Sequence, residues 1–176
     1  ALPGGIRQRL ALGTAVIHKP KIVFLDEPTS GVDPISRRSF WELINELSGE
    51  GITVLVTTHY LEEAEYCGNI ILINAGNLIA EGNSKVLKTK YLQNPIYEIK
   101  CNNVVDAMEI FDKSNFVDET SIFGNSIHLI MNENFTNESQ IYNELKKIPQ
   151  IKIEKVEKIV PTLEDVFIHL LEKDKK

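Results

Sequence analysis

Cysteine is scarce in this 176-residue chain. Cys67 and Cys101 are its only two, far apart and without neighbours spaced as metal ligands. That argues against a disulfide framework or a zinc site and fits a reducing cytosol. No apolar run approaches the ~20 residues that a membrane helix needs, and no signal peptide opens the chain, so direct membrane insertion is not expected. Basic excess is missing as well. The formal net charge is −6: residues 1–90 carry 9 Lys and Arg against 10 Asp and Glu, net −1, and residues 91–176 carry 10 against 15, net −5. No basic stripe is available to follow a phosphate backbone, so nucleic acid is not an expected partner. Nor does a Gly-x-x-x-x-Gly-Lys-Ser/Thr loop occur, the element whose amides and lysine cradle nucleotide phosphates. A chain that begins Ala1-Leu2 without Met, already inside a motif, reads as truncated. With 43% hydrophobic residues it can still bury a core, and a soluble chain of one domain or two small ones is expected.

The chain is organised around Ile22-Val23-Phe24-Leu25-Asp26-Glu27-Pro28. Four apolar residues followed at once by two carboxylates and a proline read as a buried parallel strand that stops at a polar edge. In open α/β sheets ligands bind beyond the carboxyl ends of the strands, which puts Asp26 and Glu27 where a ligand would be. Taken alone, Asp-Glu-Pro reads rather as a polar turn after a strand. It is not alone: Ser30-Gly31-Val32-Asp33-Pro34 follows closely, and Pro3-Gly4-Gly5-Ile6 opens a helix upstream. A second β-branched strand, Ile52 to Thr57, ends just before His59. The glycine pair leaves amides and a positive dipole end open to an anion. The apolar residues Ile6, Leu10, Gly13 and Ile17 suit a buried stripe on that helix. Asp33 is a good N-cap with Pro34 at the first helical position, ahead of a stripe of Phe40, Leu43, Ile44 and Leu47. The acidic run Tyr60 to Glu65 reads as a short helix with a solvated face.

In this order the motifs resemble the second half of an ATP-binding cassette (ABC) ATPase, over roughly residues 1–85. The resemblance implies that Pro3, Gly4, Gly5 and Ile6, within Leu2 to Leu10, are the signature motif, which reaches the γ-phosphate of ATP on the opposite cassette of a dimer. Pro3 stands where that family has serine and Ile6 where it has glutamine. The amides of Gly4 and Gly5 remain able to hold phosphate, with altered sandwiching. Asp26 is implied to hold Mg²⁺ through water, Glu27 to polarise the attacking water and His59 to be the switch histidine at the γ-phosphate. Ser30, Gly31 and Asp33 are implied to form the D-loop that crosses the dimer interface.

Further on, Asn69 to Asn74 and Asn77 to Glu81 flank Ala75-Gly76 as a hairpin, and Ser84 to Leu92 reads as a linking helix. Asn94-Pro95 marks an expected boundary between a cassette part, residues 1–93, and an accessory domain, residues 94–176. The second part alternates as β-α-β-β-α-β, the order of a ferredoxin-like split unit, and carries no catalytic constellation. Pro161 to Leu171 closes the chain as a helix with a capping-box-like start at Thr162 and Asp165 and resembles the closing helix of export cassettes. The expected fold class is therefore α/β: the C-terminal half of a P-loop NTPase cassette with a parallel sheet, followed by a small ferredoxin-like α+β domain.

The resemblance implies an ATP-hydrolysing subunit of an ABC transporter of the exporter type, using ATP and Mg²⁺. Its implied partners are a second cassette and a separate membrane permease, and its implied location is the cytoplasmic face of the cell membrane. A soluble non-transporter ABC ATPase and a regulatory fragment that binds a cassette partner are the alternatives.

Overall fold

The computed structural model describes residues 3–174. By contact the chain forms two compact units, Ala1–Gly68 and Asn69–Lys176.

The first unit is built from α1 (Gly4–Val16), β1 (Ile22–Asp26), α2 (Pro34–Gly49), β2 (Thr53–Thr57) and the single turn α3 (Leu61–Ala64). Strands β1 and β2 pair in parallel, with Asp26 opposite Thr57 at their carboxyl ends. The long helix α2 between them supplies the crossover that parallel pairing requires. Its start is fixed by Asp33, whose Oδ1 accepts the Ser36 amide at 2.9 Å, and by Pro34 at the first turn. Beyond its end, Gly51 turns the chain at φ 91°.

Alternation then decides what each strand buries. Val23, together with the half-buried Leu25, Val54 and Val56, joins Leu12, Phe40, Trp41, Ile44 and Leu47 in one core. The opposite face is bare, with Ile22 53%, Phe24 72% and Leu55 51% exposed. In this chain the expected buried strand β1 is covered on its Val23 face, the one face of the two-stranded sheet that meets a helix. The expected stripe on α1 fails. The helix lies on α2 through Gly5, Leu12 and Val16, and the side carrying Ile6, Leu10 and Ile17 is exposed. On α2 the expected stripe is present, with Leu43 only half-buried and Trp41 added, stacked on Tyr66 at 5.5 Å.

The second unit opens with the hairpin β3 (Ile70–Asn74) and β4 (Asn77–Gly82), turned by Ala75 and Gly76, both at positive φ. Helix α4 (Ser84–Tyr91) follows, capped by Asn83 on the Val86 amide at 2.9 Å. Then come β5 (Ile96–Cys101), α5 (Val104–Phe111), β6 (Val117–Phe123), β7 (Ser126–Met131), α6 (Ser139–Leu145), β8 (Ile153–Ile159) and α7 (Leu163–Asp174). The four strands form an antiparallel sheet in the order β6-β7-β5-β8, which is the ferredoxin-like arrangement. One face carries Tyr97, Ile99, Ile127, Leu129 and Met131 into a core with Ala107, Phe111, Ile141 and Leu145 from α5 and α6.

The other sheet face mixes buried Ile96 and Ile130 with polar residues, and α7, which buries Leu163 and Val166, is tied to the sheet by two histidine–carboxylate pairs. His128 Nδ1 is 2.7 Å from Asp165, and His169 Nδ1 is 2.8 Å from Glu119. Asp165 closes the expected capping box, accepting the amide and hydroxyl of Thr162, each at 2.7 Å. Burial alone would raise the Asp165 carboxyl, but the hydrogen bonds from His128 and Thr162 outweigh it and hold it below its ordinary range. Among the described residues no helix is long and apolar enough to cross a membrane.

Candidate functional site

Parallel pairing of β1 and β2 delivers both strand ends to one edge, and three of the expected site residues meet there. His59 Nδ1 lies 3.1 Å from Glu27 Oε1, with the two side chains 54% and 47% exposed. The Thr57 hydroxyl donates to Asp26 Oδ1. Its oxygen also lies 3.2 Å from the Glu27 amide, which bonds the Thr57 carbonyl at 3.0 Å as well. Thr57 thus locks the two acids in register.

Glu27 is held with φ 41°, a left-handed backbone that glutamate rarely adopts. Bonds on both sides keep it there: its amide on Thr57 and its carbonyl accepting the Ser30 amide at 3.1 Å. Such a strained residue persists only where its surroundings over-determine it, and this one carries the carboxylate nearest His59.

The glycine pair takes a different place, against the 31–36 segment. Pro3 caps α1 from outside the first turn, without a side-chain bond, so it costs the helix no amide. A Cβ on Gly5 would come within 2.7 Å of the Ser36 Cβ, and one on Gly4 within 3.6 Å of the Gly31 carbonyl. Gly5 is therefore required by the close approach of α1 to the start of α2, besides leaving its amide open. Ile6 is half-exposed beside it. Gly31, at φ 68°, turns the chain into Asp33. The Ser36 hydroxyl and amide hold the Asp33 carboxyl below its ordinary range. Leu2 lies outside the described residues.

The acidic run after His59 is solvated at Glu62 and Glu65, as expected, but not at Glu63. Glu63 is buried, 2% exposed, and its carboxylate accepts Thr29 Oγ1 at 2.5 Å and Thr58 Oγ1 at 2.9 Å. Arg37 Nε stands 3.2 Å from it, in Coulombic contact rather than as an aligned hydrogen bond. The Arg37 guanidinium in turn lies 4.3 Å from the Tyr60 ring centre, and that ring packs at 4.1 Å on His59. Neighbouring Glu62 and Glu65 are exposed, so composition alone could not single out Glu63.

The donor set suits a hard, hydrated cation. Asp26 offers one exposed carboxylate at the strand edge, and among the described residues no group of three or more His, Cys, Asp or Glu forms a closed metal cage. Mg²⁺ is typically held by one or two carboxylates plus water and phosphate oxygens, and this edge leaves room for them.

Comparison with known proteins gives two family matches. Residues 82–171, just over half of the chain, match the family described as ATP-binding protein DrrA1-3-like, C-terminal domain. Residues 5–63 match an AAA domain family, putative AbiEii toxin, Type IV TA system. The probable multidrug ABC transporter ATP-binding protein YbhF of Escherichia coli is 55% identical over 89 residues, 51% of this chain and 15% of that protein. The daunorubicin resistance ATP-binding protein DrrA3 of Streptomyces coeruleorubidus is 32% identical over 177 residues, 98% of this chain and 55% of its own length. Among solved structures, the ADP conformation of MJ1267, an ATP-binding cassette of an ABC transporter, is similar over 48% of this chain and 34% of its own, with 32% identity and a TM-score of 0.45. The chain thus spans between about a twelfth and just over half of the length of the curated relatives it matches. It belongs to the DrrA1-3-like ATP-binding proteins of ABC transporters and carries part of a cassette.

Proposed function

We propose that the whole protein hydrolyses ATP and that this chain supplies the water-activating half of the site. The observation that carries the reading is the Glu27–His59 pair, 3.1 Å apart at the carboxyl edge of two parallel strands and beside Asp26. Glu27 orients the attacking water and accepts its proton as the oxygen closes on the γ-phosphorus, while the bond to the bridging oxygen breaks and ADP leaves with that electron pair. His59 holds that carboxylate through Nδ1 and turns its second ring nitrogen to the phosphate. This division suits phosphoryl transfer, in which positioning and electrostatics do most of the work. Asp26 would hold Mg²⁺ through water, and the ion would supply charge neutralisation at the phosphate oxygens.

The amides of Gly4 and Gly5, flanked by Pro3 and Ile6, receive the γ-phosphate from a second cassette. Ser30, Gly31 and Asp33 face that partner. Residues 1–93 act as the cassette part and 94–176 as the accessory domain. The names of the relatives, multidrug and daunorubicin resistance, support export through a separate membrane permease, with the protein on the cytoplasmic face.

The test is the assembly state of the full-length protein in MgATP. Glu27→Gln accumulates as an ATP-bound dimer on size exclusion with light scattering, whereas the parent returns to monomer as ATP is consumed. A variant that stays monomeric at saturating MgATP removes the sandwich from the mechanism.

A further inference from the structure

Glu63 is buried and does not stand at the exposed strand edge, yet it contacts each segment that bears on the Glu27–His59 pair. Thr29 is two residues after Glu27, and Thr58 is the residue before His59. The same carboxylate takes the hydroxyls of both, one on each oxygen. Arg37, from α2, contacts it at 3.2 Å and passes the constraint on through the Tyr60 ring to the imidazole of His59. A buried carboxylate is tolerated only with such partners, so the turn after β1, the turn after β2 and α2 are drawn to one point. The Thr57 and Ser30 bonds hold Glu27 from its own side, and this point adds a constraint that reaches both Glu27, through Thr29, and His59, through Thr58 and Tyr60.

We propose that Glu63 is a positioning residue for ATP hydrolysis, setting the Glu27–His59 geometry through Thr29, Thr58 and the Arg37–Tyr60 stack without touching the nucleotide. The proposal rests on the reading of Glu27 and His59 given above. A misplacement of about 1 Å at a reacting group costs on the order of a hundredfold in rate, so the effect belongs in kcat.

The experiment compares full-length parent, Glu63→Gln, His59→Ala and the double variant by steady-state MgATP hydrolysis and thermal melting. Glu63→Gln lowers kcat about 10- to 100-fold, with KM for ATP within about twofold and a cooperative melt retained. In the His59→Ala background the same change costs less than about threefold, because the geometry it sustains is no longer used. Thr58→Val, which removes one hydroxyl from the carboxylate, moves kcat the same way by a smaller factor. If Glu63→Gln fails to fold, the Thr58→Val and His59→Ala cycle decides by the same criterion. A parental kcat in Glu63→Gln, or losses that multiply in full in the double variant, overturns the proposal while the roles of Glu27 and His59 stand. Parental turnover by His59→Ala instead overturns the underlying reading, and the positioning role with it.

Discussion

Both units of the chain pair histidine with a carboxylate, and they use the pair in opposite ways. In the first unit His59 and Glu27 are about half exposed, 3.1 Å apart, at a strand edge. In the second, His128 and Asp165 are 2.7 Å apart at 7% and 2% exposure, beneath a helix they fasten to a sheet. The chemistry of the side chains is the same. Burial separates a pair able to meet a ligand from one whose lone pairs and protons are already committed. The surroundings differ accordingly. The second unit closes its core around Ile99, Phe111, Ile127, Leu129 and Met131, all fully buried, whereas the first leaves one sheet face open at Ile22, Phe24 and Leu55.

The largest effect sharpens that contrast directly. Phe111→Ala empties a closed core and should cost about 3–5 kcal/mol in urea unfolding of this chain, while Phe24→Ser on the bare face should fall within about 0.5 kcal/mol of the parent. Equal costs would show that the two units are clad alike. Next, Asp165→Asn replaces the buried carboxylate shared by His128 and Thr162 with a neutral amide and should lower stability by about 3 kcal/mol. Because the Asp165 carboxyl is held below its ordinary value of 3.8, its contribution is whole above that pH and is lost as pH falls through the lowered value. Acid unfolding of the parent should therefore steepen below about pH 3.8, and the Asn variant should lack that component.

The exposed pair behaves otherwise. His59→Ala in the full-length protein should lower kcat about a hundredfold, or about 2.7 kcal/mol, with the melting temperature unchanged. A loss of stability in place of a loss of rate would make His59 a counterpart of His128. Smallest is Glu27→Gly, which relieves the left-handed backbone and should leave stability unchanged or raise it by up to about 1 kcal/mol in urea titration, while abolishing turnover. Destabilisation by that change would mean that the carboxylate is structural.

Much of this was legible in the residues themselves. The apolar run Ile22–Leu25 ending in two acids marked β1 and its edge, and Asp33-Pro34 marked the start of α2, because each signal is local. The alternation after Asn94 gave the β-α-β-β-α-β order of elements. That order names the ferredoxin-like unit, and the pairing β6-β7-β5-β8 is the one the unit implies. Burial was the weaker inference. A periodic stripe on α1 promised a covered helix, but a stripe states only that a face could be covered, and here Leu12 alone is buried.

Polar anchors were missed for a related reason. Glu63 sits among Glu62 and Glu65, and only the positions of Thr29, Arg37 and Thr58 distinguish it. His128 left a faint signal, a titratable residue within the otherwise apolar run Ile127 to Met131 of β7, and Asp165 was read as a cap without its second partner. The positive φ of Glu27 had no signal at all, since neither its side chain nor the following proline calls for that conformation.

The most direct measurement is phosphate release from MgATP by the full-length protein and its Glu27→Gln variant at matched concentration. The account predicts a fall of two orders of magnitude or more with nucleotide binding retained, because the amide keeps the shape of the carboxylate but cannot take the proton of the attacking water. Release at the parental rate would contradict it and leave the exposed Glu27–His59 pair without a part in the reaction.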